Sequence, residues 1–211
     1  MKYLYNPPLI LKKAFGGFKW NTSNGKILLT FDDGPTPEAT ETILKLLNEN
    51  KIKAAFFCVG NNIKNYPELT QNIINEGHLI GNHTFNHKKL SEISYTETVN
   101  EINSFTLLLK DKFNYDVKYF RPPYGKFKFN TASLVKKCGL INVMWSLLTY
   151  DFSGDIKEVK STVEKYLRRD SIVVLHDSLK SVNIIQDSIN IILETADKNG
   201  YEIGEPEECL R

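Results

Sequence analysis

The run "SIVVLH" (171–176) holds four consecutive aliphatic residues, Ile172 to Leu175, and "KILLTF" (26–31) is nearly as apolar. A strand with one wet face alternates apolar and polar side chains, so an unbroken apolar run means burial on both faces. That condition is met in parallel sheets covered by helices, and it directs the chain toward the α/β class. The remaining patterning agrees. A helix is predicted over "TPEATETILKLLNEN" (36–50), with Thr36 capping, Pro37 in the first position and Ile43, Leu44, Leu46 and Leu47 on its buried face. Strands "AAFFCVG" (54–60) and "HLIGN" (78–82) flank a helix opened by Pro67 and closed by Gly77.

The alternation continues with helices over 96–112, 130–138, 156–168 and 183–198, and strands at "KYFR" (118–121), "INVMWS" (141–146) and a short closing run at 201–203. About seven parallel strands predict an irregular (β/α) barrel, with an open doubly wound sheet as the alternative. One domain is expected over 1–211, its core spanning about 26–203. The segment 1–25, with the aromatic stretch "FGGFKW" (15–20), is expected to pack against the barrel as a strap.

Composition removes several function classes. Lys and Arg number 27 against 25 acids, a net charge of +2 without any long basic block, so no nucleic-acid partner is expected. Cys58, Cys138 and Cys209 form no CxxC pair and read as buried thiols. The N-terminus has only a three-residue aliphatic run before Lys12 and Lys13, which predicts no cleavable signal peptide. No stretch reaches membrane-spanning length. These features leave the compartment open, cytoplasmic by sequence or reached by a non-standard export route, and a monomer is expected.

Both candidate architectures gather functional side chains at the carboxyl ends of their strands. Those ends carry Asp32 and Asp33, then His83, Arg121, the region of Asp151, and His176. His78 precedes its strand and is expected to be structural. His83 and His87 lie four apart, a spacing that on a helical turn directs both rings to one metal ion. Asp32 or Asp33 would add a carboxylate ligand and leave a coordination position open for water. Adjacent residues of an extended segment point to opposite sides, so one aspartate is ligand and the other is free for another role.

The motifs "TFDDGP" (30–35), "HTFNH" (83–87), "RPPY" (121–124) and "VLH" (174–176), in this order, resemble those of the polysaccharide deacetylases, carbohydrate esterase family 4, whose shared region is the NodB homology domain. The resemblance covers about residues 26–203. It implies a metal-dependent hydrolase that removes N-acetyl groups from N-acetylglucosamine-containing glycans, peptidoglycan- or chitin-like. Asp32 would be the catalytic base, Asp33, His83 and His87 the ligands of a divalent metal (Zn, with Co, Ni or Mn as alternatives), and His176 the acid. Arg121 would orient Asp32, and Asp151 would partner His176. The backbone N–H of Tyr124 would bind the oxyanion, and Pro123, Tyr124, Phe152 and Val174 would contact substrate.

The fourth motif, "WSLLTYDF" (145–152), departs from the family at Leu148, where an aspartate is usual, and at Phe152, where tryptophan is usual. Trp145 is expected in the core, and Asp177 with Ser178 is expected to cap a helix. The same machinery would serve an O-acetyl esterase acting on acetylxylan. A carbohydrate-binding member with weakened catalysis, or an iron oxygenase sharing the two-histidine, one-carboxylate set, are further alternatives.

Overall fold

The computed structural model describes residues 5–211. These form one seven-stranded, all-parallel sheet: β1 (Leu28–Asp32), β2 (Ala55–Cys58), β3 (Leu79–Asn82), β4 (Tyr119–Phe120), β5 (Ile141–Asn142), β6 (Leu147–Leu148) and β7 (Ile172–His176). The strand order is β5-β4-β3-β2-β1-β7-β6, and the sheet curls into an irregular (β/α) barrel. Helices Ala39–Glu49, Pro67–Asn75, Tyr95–Phe113, Thr131–Lys137 and Ile156–Tyr166 supply the crossovers, and Ile185–Lys198 follows the last strand.

Alternation along β1 sorts the core into two. Leu29 and Phe31 point outward and pack with Ile43 and Leu47 of the first crossover helix and with Phe56. Leu28 points inward with Ala55, Phe57, Tyr119 and Ile172, where Cys209 and Leu210 of the C-terminal segment join them. The period of two places Thr30 and Asp32 on the same inward face as Leu28. A carboxylate thereby reaches the barrel mouth on a strand that is otherwise a core element.

The two edges of the sheet, β5 and β6, belong to one continuous run, residues 141–148. Its start pairs with β4 and its end with β7. At 143–146 the ladder breaks, and the run bends from one edge of the sheet to the other. This corrects the single strand expected over 141–146. The other revised strand is 201–203, which makes only an isolated bridge from Ile203 to Ile27. The seventh strand is β6 instead.

The N-terminal segment crosses this seam. The Lys19 N–H donates to the Asn142 carbonyl at 2.8 Å, and the Met144 N–H donates to the Lys19 carbonyl at 2.7 Å. Phe18 and Trp20 pack with Met144, Trp145, Leu148 and Val174, so the aromatic stretch lies against the barrel. Residues 1–4 of the expected strap lie outside the described residues. The first crossover helix starts later than expected, at Ala39, and Thr36 does not cap it. The Thr36 hydroxyl donates instead to the Asp177 carbonyl at 2.9 Å. Among the described residues no helix is long and apolar enough to cross a membrane.

Candidate active site

Asp32 closes β1 and is 5% exposed. Its Oδ1 accepts from Arg121 Nη1 at 2.6 Å. Asp33 turns away because its backbone is left-handed, with φ of 81°, so the divergence of the two carboxylates goes beyond strand alternation. Asp33 Oδ1 lies 3.0 Å from His87 Nε2 and 3.6 Å from His83 Nε2. Asn62 Nδ2 donates to the Asp33 carbonyl at 2.7 Å and holds this turn. At Gly34 a Cβ would lie 2.0 Å from Asp177 Oδ2, so only glycine fits there.

His83 and His87 do converge, with ring centroids 5.1 Å apart, but not on a helical turn. They bracket a loop in which Thr84 and His87 take positive φ values of 67° and 55°. His83 Nδ1 is 2.7 Å from the Arg121 carbonyl. Donation there assigns the proton to Nδ1 and leaves the Nε2 lone pair facing Asp33. Burial pushes the His83 pKa down to about 4, so the ring is neutral near pH 7, as a ligand must be. Burial opposes ionisation of Asp33, but the bond from His87 and the nearby His176 and His83 rings outweigh it and hold Asp33 well below the usual carboxylate range.

These three residues each offer one ligand atom, all within 4.8 Å of one another. Bonds of about 2.0–2.1 Å at the tetrahedral angle put ligand atoms about 3.3 Å apart, and the 3.0 and 3.6 Å separations bracket that value. The donor set of two imidazoles and one carboxylate therefore fits a single divalent ion with an open position.

Arg121 is fully buried behind this cluster. Beyond Asp32, its Nη1 donates to Thr30 Oγ1 at 2.7 Å, its Nε to the Val143 carbonyl at 3.1 Å and its Nη2 to the Met144 carbonyl at 2.9 Å. It stacks over the Phe57 ring at 4.0 Å. The two carbonyls are those freed where the 141–148 run breaks its ladder, so Arg121 both pairs with Asp32 and braces the barrel seam.

Asp151, also fully buried, uses both oxygens on His176. Oδ1 lies 2.8 Å from the ring Nδ1, and Oδ2 accepts the His176 backbone N–H at 2.6 Å. Thr149 Oγ1 donates to Oδ1 at 3.0 Å. Burial disfavours the charged ring, but Asp151, with smaller help from Asp33 and Asp32, overcomes it and raises the His176 pKa to about 9. The Phe152 ring meets His176 edge-on, with centroids 4.9 Å apart.

A cleft of about 440 Å³ unites these groups. Asp32, Asp33, His83, His87 and His176 line its floor, and Tyr124, Leu148, Phe152 and Val174 line its walls. Arg121 and Asp151 stand behind the lining, and Pro123 is buried without reaching it. Trp145 serves two purposes, packing in the aromatic cluster and lining the cleft, which extends its expected core role. His78 is structural as expected: it is buried, and its Nδ1 accepts from the Ala54 N–H at 3.2 Å.

Asp177 corrects the capping expectation. It is fully buried, its Oδ2 accepts from Thr40 Oγ1 at 2.6 Å, and the helix that follows starts only at Ile185. Burial raises its pKa to about 7 despite the Thr40 bond. Asn62, Tyr66, Leu179 and Lys180 also line the cleft and were not anticipated. Asn62 follows β2, so the strand-end rule pointed to its neighbourhood; the other three carry no motif.

A family profile described as Polysaccharide deacetylase matches residues 19–143. The chain belongs to the polysaccharide deacetylase family. A peptidoglycan-N-acetylglucosamine deacetylase of Bacillus cereus is 37% identical over 144 residues, and the match covers 68% of this chain and 52% of that relative. The chain thus spans about half of that longer polysaccharide deacetylase. A second B. cereus protein of the same name is 31% identical over 211 residues, covering 96% of this chain and 99% of its own. The crystal structure of the Bc1960 peptidoglycan N-acetylglucosamine deacetylase, bound to an N-hydroxybenzamide, superposes with a TM-score of 0.85 at 27% identity, covering 97% of both chains.

Proposed function

We propose that the protein is a metal-dependent hydrolase that removes N-acetyl groups from N-acetylglucosamine-containing glycans, peptidoglycan- or chitin-like. One observation carries this reading: two separately balanced acid–base pairs, Asp32 with Arg121 and Asp151 with His176, flank one three-ligand cluster in a single cleft. Amide hydrolysis needs a base for the attacking water and an acid for the leaving amine, and the two pairs answer those needs in turn.

Asp33, His83 and His87 would hold the ion, with Zn²⁺ first and Co, Ni or Mn as alternatives. When bound, such an ion polarises a carbonyl and lowers the pKa of water from ~15.7 to ~7. Asp32 Oδ2 lies 3.9 Å from His83 Nε2, beside the ligand cluster, and takes the proton of the attacking water. Arg121, bonded to Asp32 Oδ1 at 2.6 Å, fixes that carboxylate in place. The backbone N–H of Tyr124, a residue that lines the cleft, would donate to the oxyanion that develops on the substrate.

His176 is protonated at neutral pH and donates from Nε2 to the departing nitrogen, while Asp151 holds the ring from the other side. Leu148, Trp145 and Val174 form an apolar wall suited to the acetyl methyl, and Phe152 offers a face to the sugar ring. The test is acetate release from chitin oligosaccharides, peptidoglycan fragments and acetylxylan, with metal content measured on the same preparation. Release from the first two supports the N-deacetylase reading. Release confined to acetylxylan overturns it in favour of the O-acetyl esterase.

A further inference from the structure

Part of the cleft wall has a character that the chemistry of deacetylation does not require. Tyr66, between the helices Gly60–Asn65 and Pro67–Asn75, is 39% exposed, and Leu179, in the loop after β7, is 71% exposed. Lys180 follows, exposed, and all three line the same cleft as the metal-ligand cluster. An aromatic and an aliphatic side chain bared together at a cleft rim suit the apolar C–H face of a pyranose ring.

The charges of the cleft sharpen the point. Asp32 is balanced by Arg121, and Asp151 by His176. Asp33 would be more than balanced by a divalent ion. Lys180 has no carboxylate partner among the described residues, and no other contact accounts for its charge. The loaded cleft is therefore electropositive, and an anion must come from the ligand to complement it.

We propose that Tyr66, Leu179 and Lys180 form a subsite for the sugar adjoining the deacetylated residue, and that this subsite takes a carboxylate-bearing sugar. The inference rests on the proposed glycan deacetylation and selects acidic, peptidoglycan-type chains over neutral, chitin-type ones. Tyr66 and Leu179 pack against the ring, and the Lys180 ammonium pairs with the carboxylate. Solvent-exposed ion pairs of this kind are worth up to about fivefold in affinity.

The experiment uses a matched pair of β-1,4-linked tetrasaccharides. In one, N-acetylglucosamine alternates with N-acetylmuramic acid; in the other, each carboxylate is converted to its methylamide. Dissociation constants are measured by NMR titration on Zn²⁺-loaded protein, in spectra recorded before appreciable acetate release, and kcat/KM on the same preparation. The acid form should bind about two- to fivefold more tightly than the amide. Lys180→Met should bring that ratio to about one, and Lys180→Arg should keep it. Leu179→Ala and Tyr66→Ala should weaken both ligands alike. Equal affinities in the wild type, or a ratio that survives Lys180→Met, overturn the proposal. If the affinity ratio holds while neither ligand releases acetate, the subsite stands and the deacetylase reading falls.

Discussion

Replacing Arg121 with methionine separates the two tasks assigned to its side chain. The guanidinium is fully buried and gives one bond to the Asp32 carboxylate, one to the Thr30 hydroxyl and two to backbone carbonyls of the seam. Removing one partner of a buried ion pair costs about 3–5 kcal/mol, because the remaining charge stays buried and unpaired. Each seam carbonyl left without a donor adds about 1–3 kcal/mol. Small domains have total stabilities of about 5–15 kcal/mol, so Arg121→Met should leave the fold marginal. Urea unfolding of metal-free protein at pH 7 measures this directly.

Asp32→Asn in the same background then apportions the loss. It removes the stranded charge but leaves the seam carbonyls unpaired, so the double variant should be about 2–3 kcal/mol more stable than the two single losses added together. Additivity would refute the ion-pair half of the argument. A cost below about 1 kcal/mol for Arg121→Met alone would refute both halves.

The paired aspartates should separate cleanly by metal analysis: Asp33→Ala loses the ion, whereas Asp32→Asn retains it and loses about 10²–10⁴-fold in kcat. The reverse pattern would exchange their roles. His176, whose pKa is raised from its ordinary value of 6.5 to about 9, should keep kcat level through neutral pH and let it fall above about pH 9. Asp151→Asn should move that limb down toward 6.5. Because the folded-state value is the higher one, the associated stability is full below about pH 6.5 and fades as pH rises through about 9, which urea midpoints across that window check. Gly34→Ala drives a Cβ into Asp177 and should cost about 1–3 kcal/mol by urea unfolding. Adding Asp177→Ala should return part of it.

The class of the fold was legible because its signal is burial itself: Ile172, Val173, Val174 and Leu175 are all buried between the two faces of the sheet. The strand-end rule then found Asp32, His83, Arg121 and His176, since it depends on chain direction alone. What escaped notice depends on tertiary partners. The break at 143–146 lies inside an apolar run without glycine or proline, and its freed carbonyls bond to Arg121, a residue distant in sequence. The loop joining His83 and His87 relies on left-handed Thr84 and His87, neither of which is glycine, so spacing suggested a helical turn instead. Leu179 and Lys180 are exposed and aperiodic, and only the shape of the cleft singles them out.

Arg121 touches the site twice, once through its guanidinium on Asp32 and once through its main-chain carbonyl, which receives the Nδ1 proton of His83. Genetics sees these contacts unequally. Any substitution at 121 alters the first, whereas every amino acid carries the same carbonyl and preserves the second. A saturation library would therefore report this position as a partner of Asp32 and stay blind to its part in orienting the His83 ring. Only a change to the backbone itself, such as a thioamide in place of the amide between Arg121 and Pro122, would weaken that acceptor and expose the other half of its work.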